Sequence, residues 1–170
     1  MPLADVLRYG ILAVLTGVLI WAACTDVMSL RIPNQAVIAV LCLYVVWLVL
    51  VLVLARGAGL WPALGAGVLS FVVGYILYLF RIMGAGDVKL FAAVALFAGL
   101  DHLLLLALAT AISGGLVAVI NMFVRPYLSQ AMLALQGREM GRDVPYGVAI
   151  AIGGISVTWG AVMGFTITGG

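Results

Sequence analysis

The chain has 170 residues, of which 66% are hydrophobic and only 8% charged, and its mean hydropathy is +1.33. Soluble domains carry roughly 25% charged residues, so the composition excludes an ordinary soluble domain and predicts an integral membrane protein. The net charge of +2 is too small and too scattered for a nucleic-acid-binding face. No polar stretch is long enough for a separate soluble domain, so residues 1–170 read as one all-α, polytopic membrane domain.

Hydropathy divides the chain into about six apolar segments, near 7–25, 35–55, 60–80, 88–100, 103–123 and 145–165, and no β pattern competes. Trp21-Ala-Ala-Cys24 faintly resembles a lipoprotein cleavage box. The preceding region carries Asp5 and a single arginine, with no Ala-x-Ala-like site, so the first helix is expected to stay. Breaks fall at Arg31-Ile-Pro-Asn34, at Arg56-Gly-Ala-Gly59, at Met83-Gly-Ala-Gly-Asp-Val-Lys-Leu90 and at Asp101-His102. The long loop 124–144 follows, in which 127–136 has weak interfacial-helix character. Cys24 and Cys42 form no Cys-x-x-Cys pair and read as buried small hydrophobes, so neither a zinc site nor a disulfide is indicated. Trp21, Trp47, Trp61 and Tyr9 read as interfacial anchors. Gly160-Ala-Val-Met-Gly164 reads as a close helix contact in the last segment.

Orientation follows from the excess of Lys and Arg on the cytoplasmic side. Arg31, Arg81, Lys89, Arg125, Arg138 and Arg142 fall on one side and Arg8 and Arg56 on the other, which places both termini outside the cytoplasm. Asp26 and Asp87, each beside a break, then share the cytoplasmic face. The fourth segment rises only about 20 Å as a helix, against roughly 30 Å of hydrocarbon. The Gly-Ala-Gly-Asp turn is therefore expected to dip into a cavity below the inner boundary, where irregular backbone is tolerated. Asp101 and His102 are neighbours on a helix that do not face each other, and they read as a polar turn on the far side.

Acids on the cytoplasmic side are Asp26, Asp87, Glu139 and Asp143. Glu139 reads as solvated, and Asp143 before Pro145 as a helix start. Asp26 and Asp87 can meet at one site. Two close carboxylates do not both ionise readily, so one keeps a proton while the other acts as base toward water, the chemistry of aspartic proteases. Such a pair calls for no metal and no cofactor. Alone, Asp87 after two glycines reads as a helix cap.

Asp26 with Arg31-Ile-Pro-Asn34, then Gly84-Ala-Gly86-Asp87-Val-Lys89, then Val144-Pro-Tyr-Gly147, in this order, resemble the Gly-x-Gly-Asp aspartyl proteases and specifically the prepilin peptidases, over most of the chain. The resemblance implies that Asp26 and Asp87 are a catalytic dyad that removes a prepilin leader at the cytoplasmic membrane boundary, just after a glycine. The substrate's hydrophobic helix stays in the lipid bilayer. It further implies a bacterial inner-membrane enzyme. Larger members carry a methyltransferase region with cysteine pairs that is not found in these residues, so cleavage without N-methylation is expected. The small size and Arg-Ile-Pro-Asn look most like the peptidases of tight-adherence (Flp-type) pili.

The supporting residues have plainer readings beside the functional one. Arg31 is a topology anchor that can also hold its loop near the headgroups. Pro33 and Asn34 read as a helix stop and an N-cap. Gly84 and Gly86 shape the loop and admit substrate backbone. Lys89 is either another anchor or a cation beside the dyad. The rival from another class is a small proton- or ion-coupled transporter, since intramembrane acids beside broken helices also mark ion paths. A non-catalytic subunit of a pilus machine is a third. The sequence leaves the oligomeric state open.

Overall fold

The computed structural model describes residues 3–29, 32–54, 60–136 and 145–162, and at 3–4, 54, 125–136 and 162 the backbone alone. These residues form five helices: α1 (Leu3–Ser29), α2 (Asn34–Leu54), α3 (Leu60–Leu79), α4 (Ala85–Gln136) and α5 (Tyr146–Val162). In hydrocarbon every backbone N–H and C=O needs an internal partner, which helices supply along their own length. Four of the five are long and apolar enough to cross a membrane; α5 is shorter, at 17 residues. The chain is a polytopic, all-helical membrane protein.

The sequence divides the span of α4 into two segments, and the structure shows why. Gly99 has φ 68° and ψ 175° and separates two helical arms. Phe91 on the first arm and Gly114 on the second line one cavity. Val94 and Thr110 likewise lie against the adjacent Gly154 and Gly153 of α5. The arms therefore run antiparallel, as a hairpin. Counted separately they give the six expected segments, but the break falls at Gly99 and not at Asp101-His102, which are helical. The conformation at Gly99 is one that only glycine adopts readily, so turn geometry fixed the break ahead of polarity. The second arm then continues to Gln136, so the residues read as an interfacial helix extend this arm.

α1 likewise runs past the expected end at residue 25. Its polar residues bond back onto the helix: Thr25 Oγ1 donates to Ala22 O at 2.9 Å, and Ser29 Oγ to Thr25 O at 2.7 Å. Asp26 is thereby held within a regular helix.

The core is built around the first arm of α4. Leu90 and Val94 of this arm are fully buried together with Leu15 and Leu19 of α1, Val40 of α2, Leu106 of the second arm and Ile150 of α5. Without a hydrophobic drive between helices in lipid, close approach at small residues supplies the packing. α3 contributes Gly74, where a methyl group would stand 2.8 Å from Val88 Cγ1, and α5 contributes Gly154, where it would stand 2.8 Å from Val94 Cγ1. Hydrogen bonds pin α5 on both sides. Ser113 Oγ donates to Ala149 O at 3.1 Å, and Trp159 Nε1 donates to Thr16 Oγ1 at 2.9 Å.

Two sequence expectations are corrected. Cys24 and Cys42 are exposed, because lipid accepts an apolar side chain as readily as the core does. A side chain at Gly160 would meet nothing within 4 Å, and Gly164 lies outside the described residues. The close contacts of α5 are made earlier, at Gly153 and Gly154.

Gly99→Ala is expected to destabilise the protein by about 1–3 kcal/mol through backbone strain, as measured by reversible unfolding in detergent micelles. An unchanged midpoint would mean that the hairpin does not depend on this conformation.

Candidate active site

The helix order places one end of α1, α2, α3, α4 and α5 around a common point. Asp26 lies one turn before the end of α1, and only 4% of its surface is exposed. An apolar surrounding makes a buried carboxylate costly unless hydrogen bonds are supplied. Here the backbone N–H of Gly147, in the first turn of α5, donates to Asp26 Oδ2 at 2.7 Å. The first-turn N–H groups of a helix have no intrahelical acceptor, so this bond satisfies a donor and an acceptor together. It requires glycine. A Cβ at position 147 would lie 2.8 Å from Asp26 Oδ2 and 3.0 Å from its Cβ.

Asp87 sits in the first turn of α4 and is half-buried. Gly84 N–H donates to Asp87 Oδ2 at 3.1 Å, and Gly84 O accepts Val88 N–H at 3.1 Å. This is the reaching-back half of a capping box, so the expected cap is present. The carboxylates of Asp26 and Asp87 are close enough for their charges to act on each other. One oxygen of each is fixed by a backbone N–H at a helix start, which leaves Oδ1 of each for other partners.

The remaining sequence candidates divide. Gly86 touches the loop between α1 and α2: a Cβ there would lie 3.2 Å from Ile32 Cβ and 3.4 Å from Ile32 O, so glycine lets that loop close over the start of α4. Pro33 follows, its carbonyl accepting Ala36 N–H at 3.0 Å. Asn34 is the first residue of α2, so the cap position falls to Pro33. Lys89 is exposed and lines a groove with Val37, Leu41 and Phe71. Residues two apart on a helix point to nearly opposite sides, so Lys89 faces away from Asp87 and the anchor reading fits it better. Arg31, Glu139 and Asp143 lie outside the described residues. Asp101 lines a cleft with Trp47, Pro62 and Gly99 at the opposite end of the bundle, as expected.

Sequence reasoning missed the part played by Gly147. Pro-Tyr-Gly was visible as a motif, but nothing in it shows that its last N–H reaches Asp26.

Residues 13–119 match the type IV leader peptidase family. The chain belongs to that family. It is 31% identical over 139 residues to the prepilin leader peptidase/N-methyltransferase of Pseudomonas aeruginosa, an alignment covering 75% of this chain and 43% of that relative. The chain thus spans less than half the length of this relative. No solved structure matches it. The family match takes in Asp26 and Asp87 but ends before Gly147, so the Gly147 contact is an addition from the fold.

Gly147→Ala is expected to cost about 1–3 kcal/mol of stability by overpacking against Asp26. Gly160→Ala, with open space around it, is expected to be neutral or to stabilise slightly. Matched unfolding curves of the two variants check the pair. Equal midpoints would remove the Asp26 contact as a constraint.

Proposed function

We propose that this leader-peptidase family member is an aspartic endopeptidase that removes the leader peptide of type IV or Flp-type prepilins, with Asp26 and Asp87 as the dyad. The observation that carries the reading is that acids from α1 and α4, each oriented by a backbone N–H, share one end of an apolar bundle within range of each other's charge. The excess of basic residues assigns that end to the cytoplasmic face of the bacterial inner membrane, with both termini on the other side. Exposed Arg81 and Lys89 lie at this end.

In this reading one carboxylate is ionised and the other protonated, since like charges at short range do not both persist. The ionised group takes a proton from a water held between the Oδ1 atoms. That water's oxygen bonds to the scissile carbonyl carbon, and the protonated group gives its proton to the carbonyl oxygen. Collapse of the tetrahedral intermediate breaks the C–N bond as the proton taken from water passes to the leaving amine and one gem-diol hydroxyl returns its proton to the other carboxylate, which leaves a carboxylic acid product and restores the singly protonated pair. Gly84 and Gly147 keep the carboxylates aimed, which matters because a misplacement of about 1 Å can cost about 100-fold in rate. Gly86 keeps the approach free of side chains. Pro33 and Asn34 shape the neighbouring loop and the start of α2. The substrate's apolar helix remains in the bilayer while its leader meets the cytoplasmic face.

Purified protein is incubated with a prepilin, and wild type is compared with Asp26→Asn and Asp87→Asn. Each substitution alone is expected to abolish leader removal with the protein still inserted. Cleavage at the wild-type rate by either variant would eliminate the dyad.

The pH profile of kcat/KM is expected to be bell-shaped, with two apparent pKa values belonging to the pair. Below the lower value both carboxyls are protonated and no base remains. Above the upper value both are ionised and no acid remains. A rate independent of pH across the titration range of carboxyl groups would contradict a shared proton.

A further inference from the structure

A cavity of about 420 Å³ opens beside the dyad, between α3 and the second arm of α4, within the roughly 300–1,000 Å³ range of ligand sites. Its inner end is formed by Met83, Phe91 and Tyr146. Met83 precedes Gly84, the donor to Asp87, and Tyr146 precedes Gly147, the donor to Asp26. Phe91 stands one turn beyond Asp87 on the same face of the helix. Whatever fills this groove therefore has one end at the carboxylates.

Along the second arm the groove is floored by small residues, Ala107, Ala111, Gly114, Gly115 and Ala118, at spacings that put them on one face. Gly114 is accounted for inside the molecule, since a Cβ there would touch Ala149 Cβ at 3.4 Å. Gly115 is not: a Cβ there would meet nothing within 4 Å. Glycine in a helix costs about 1 kcal/mol relative to alanine, and no contact among the described residues requires it here.

The far wall holds a second, independent signal. Ser70, midway along α3, is 4% exposed and lines the groove, and its Oγ has no hydrogen-bond partner among the described residues. A lipid acyl chain leaves such a hydroxyl unpaired. A polypeptide offers carbonyl or side-chain acceptors, and in membranes hydroxyls bond across helix pairs while small residues let the backbones approach.

We propose that this groove is the docking site for the substrate's own hydrophobic helix, laid against Gly115 with Ser70 donating to it, so that the leader junction is delivered to Asp26 and Asp87. The inference rests on the peptidase reading for its substrate. Lys89 and its groove on the opposite side of the first arm take no part.

Two substrates test it: a full-length prepilin, and a short soluble peptide that spans the leader junction without the apolar helix. Gly115→Leu puts a bulky side chain into the groove from a position where a Cβ has open space. It is expected to raise KM for the prepilin at least 10-fold and to leave cleavage of the peptide unchanged. Ser70→Ala is expected to raise KM for the prepilin about 3- to 10-fold, the worth of one hydrogen bond. Gly17→Leu, at another exposed position with open space around it, is expected to change neither. Unchanged prepilin KM in Gly115→Leu, or an equal rise for both substrates, would overturn the proposal.

A photo-crosslinking amino acid at position 115, in a chain also carrying Asp26→Asn and Asp87→Asn, separates docking from catalysis. An adduct within the prepilin's apolar helix is expected, and it would stand even if the wild type cleaved nothing and the peptidase reading fell. No adduct, or an adduct to a second copy of this chain in place of the prepilin, would overturn the groove.

Discussion

The hydrogen bond from Gly147 N–H to Asp26 Oδ2 is the constraint on which the rest of the site depends. It joins the last turn of α1 to the first turn of α5 across most of the chain's length. A carboxylate this deeply buried needs a donor, and the first turn of a helix has donors to spare. The short contact leaves no room for a Cβ, so α1 and α5 meet at backbone distance. That distance in turn sets where α5 crosses the first arm of α4, at Gly154 against Val94 and Leu19. The geometry of the buried carboxylate and the packing of the helices are therefore one problem. Moving α5 outward to relieve the core would also withdraw the donor that aims Asp26.

The first arm of α4 has two faces with different tasks, and helix geometry separates them. Asp87 and Phe91 fall on one side, toward the carboxylate pair and the groove along α3. Lys89 falls on the other, among Val37, Leu41 and Phe71. A cation beside the dyad would hold both carboxylates ionised and work against a shared proton. Its position on the opposite side leaves the pair to settle its own protonation. The arm is short because Gly99 turns the chain early, and that turn fixes how far along the bundle the Asp87 cap is set.

Much of this was legible in the sequence. Composition gave the membrane class, segment counting gave the six helical segments, and basic-residue bias put Asp26 and Asp87 on one face and Asp101 and His102 on the other. The errors share a cause. In a membrane chain apolarity does not distinguish inside from outside, so Cys24 and Cys42 read as buried when they face outward, and Gly160 read as a contact when it is open. Polarity was also a poor guide to helix ends. α1 carries Thr25, Asp26 and Ser29 by bonding hydroxyls back to its own carbonyls, and Asp101 and His102 lie inside a helix whose true break is a glycine. The reach of Gly147 to Asp26 depends on how α5 is placed in three dimensions, and local pattern holds no record of that.

The fold also bears on the choice between peptidase and ion-coupled transporter. A transported ion needs polar groups or water along a path through the membrane. Past the carboxylates, the interior is filled by Leu19, Leu90, Val94 and Ile150, all fully buried. Of the buried hydroxyls on this side, Ser113 bonds to Ala149 O and Thr158 to Gly154 O, while Ser70 and Thr110, which have no partner among the described residues, face the groove along α3 and do not continue a path from the carboxylates through the core. Asp26 and Asp87 sit at one end, above an apolar core packed closely at Gly74 and Gly154. Such a bundle is suited to hold two carboxylates still against each other, which hydrolysis requires, and opening it for passage would break the contacts that hold them.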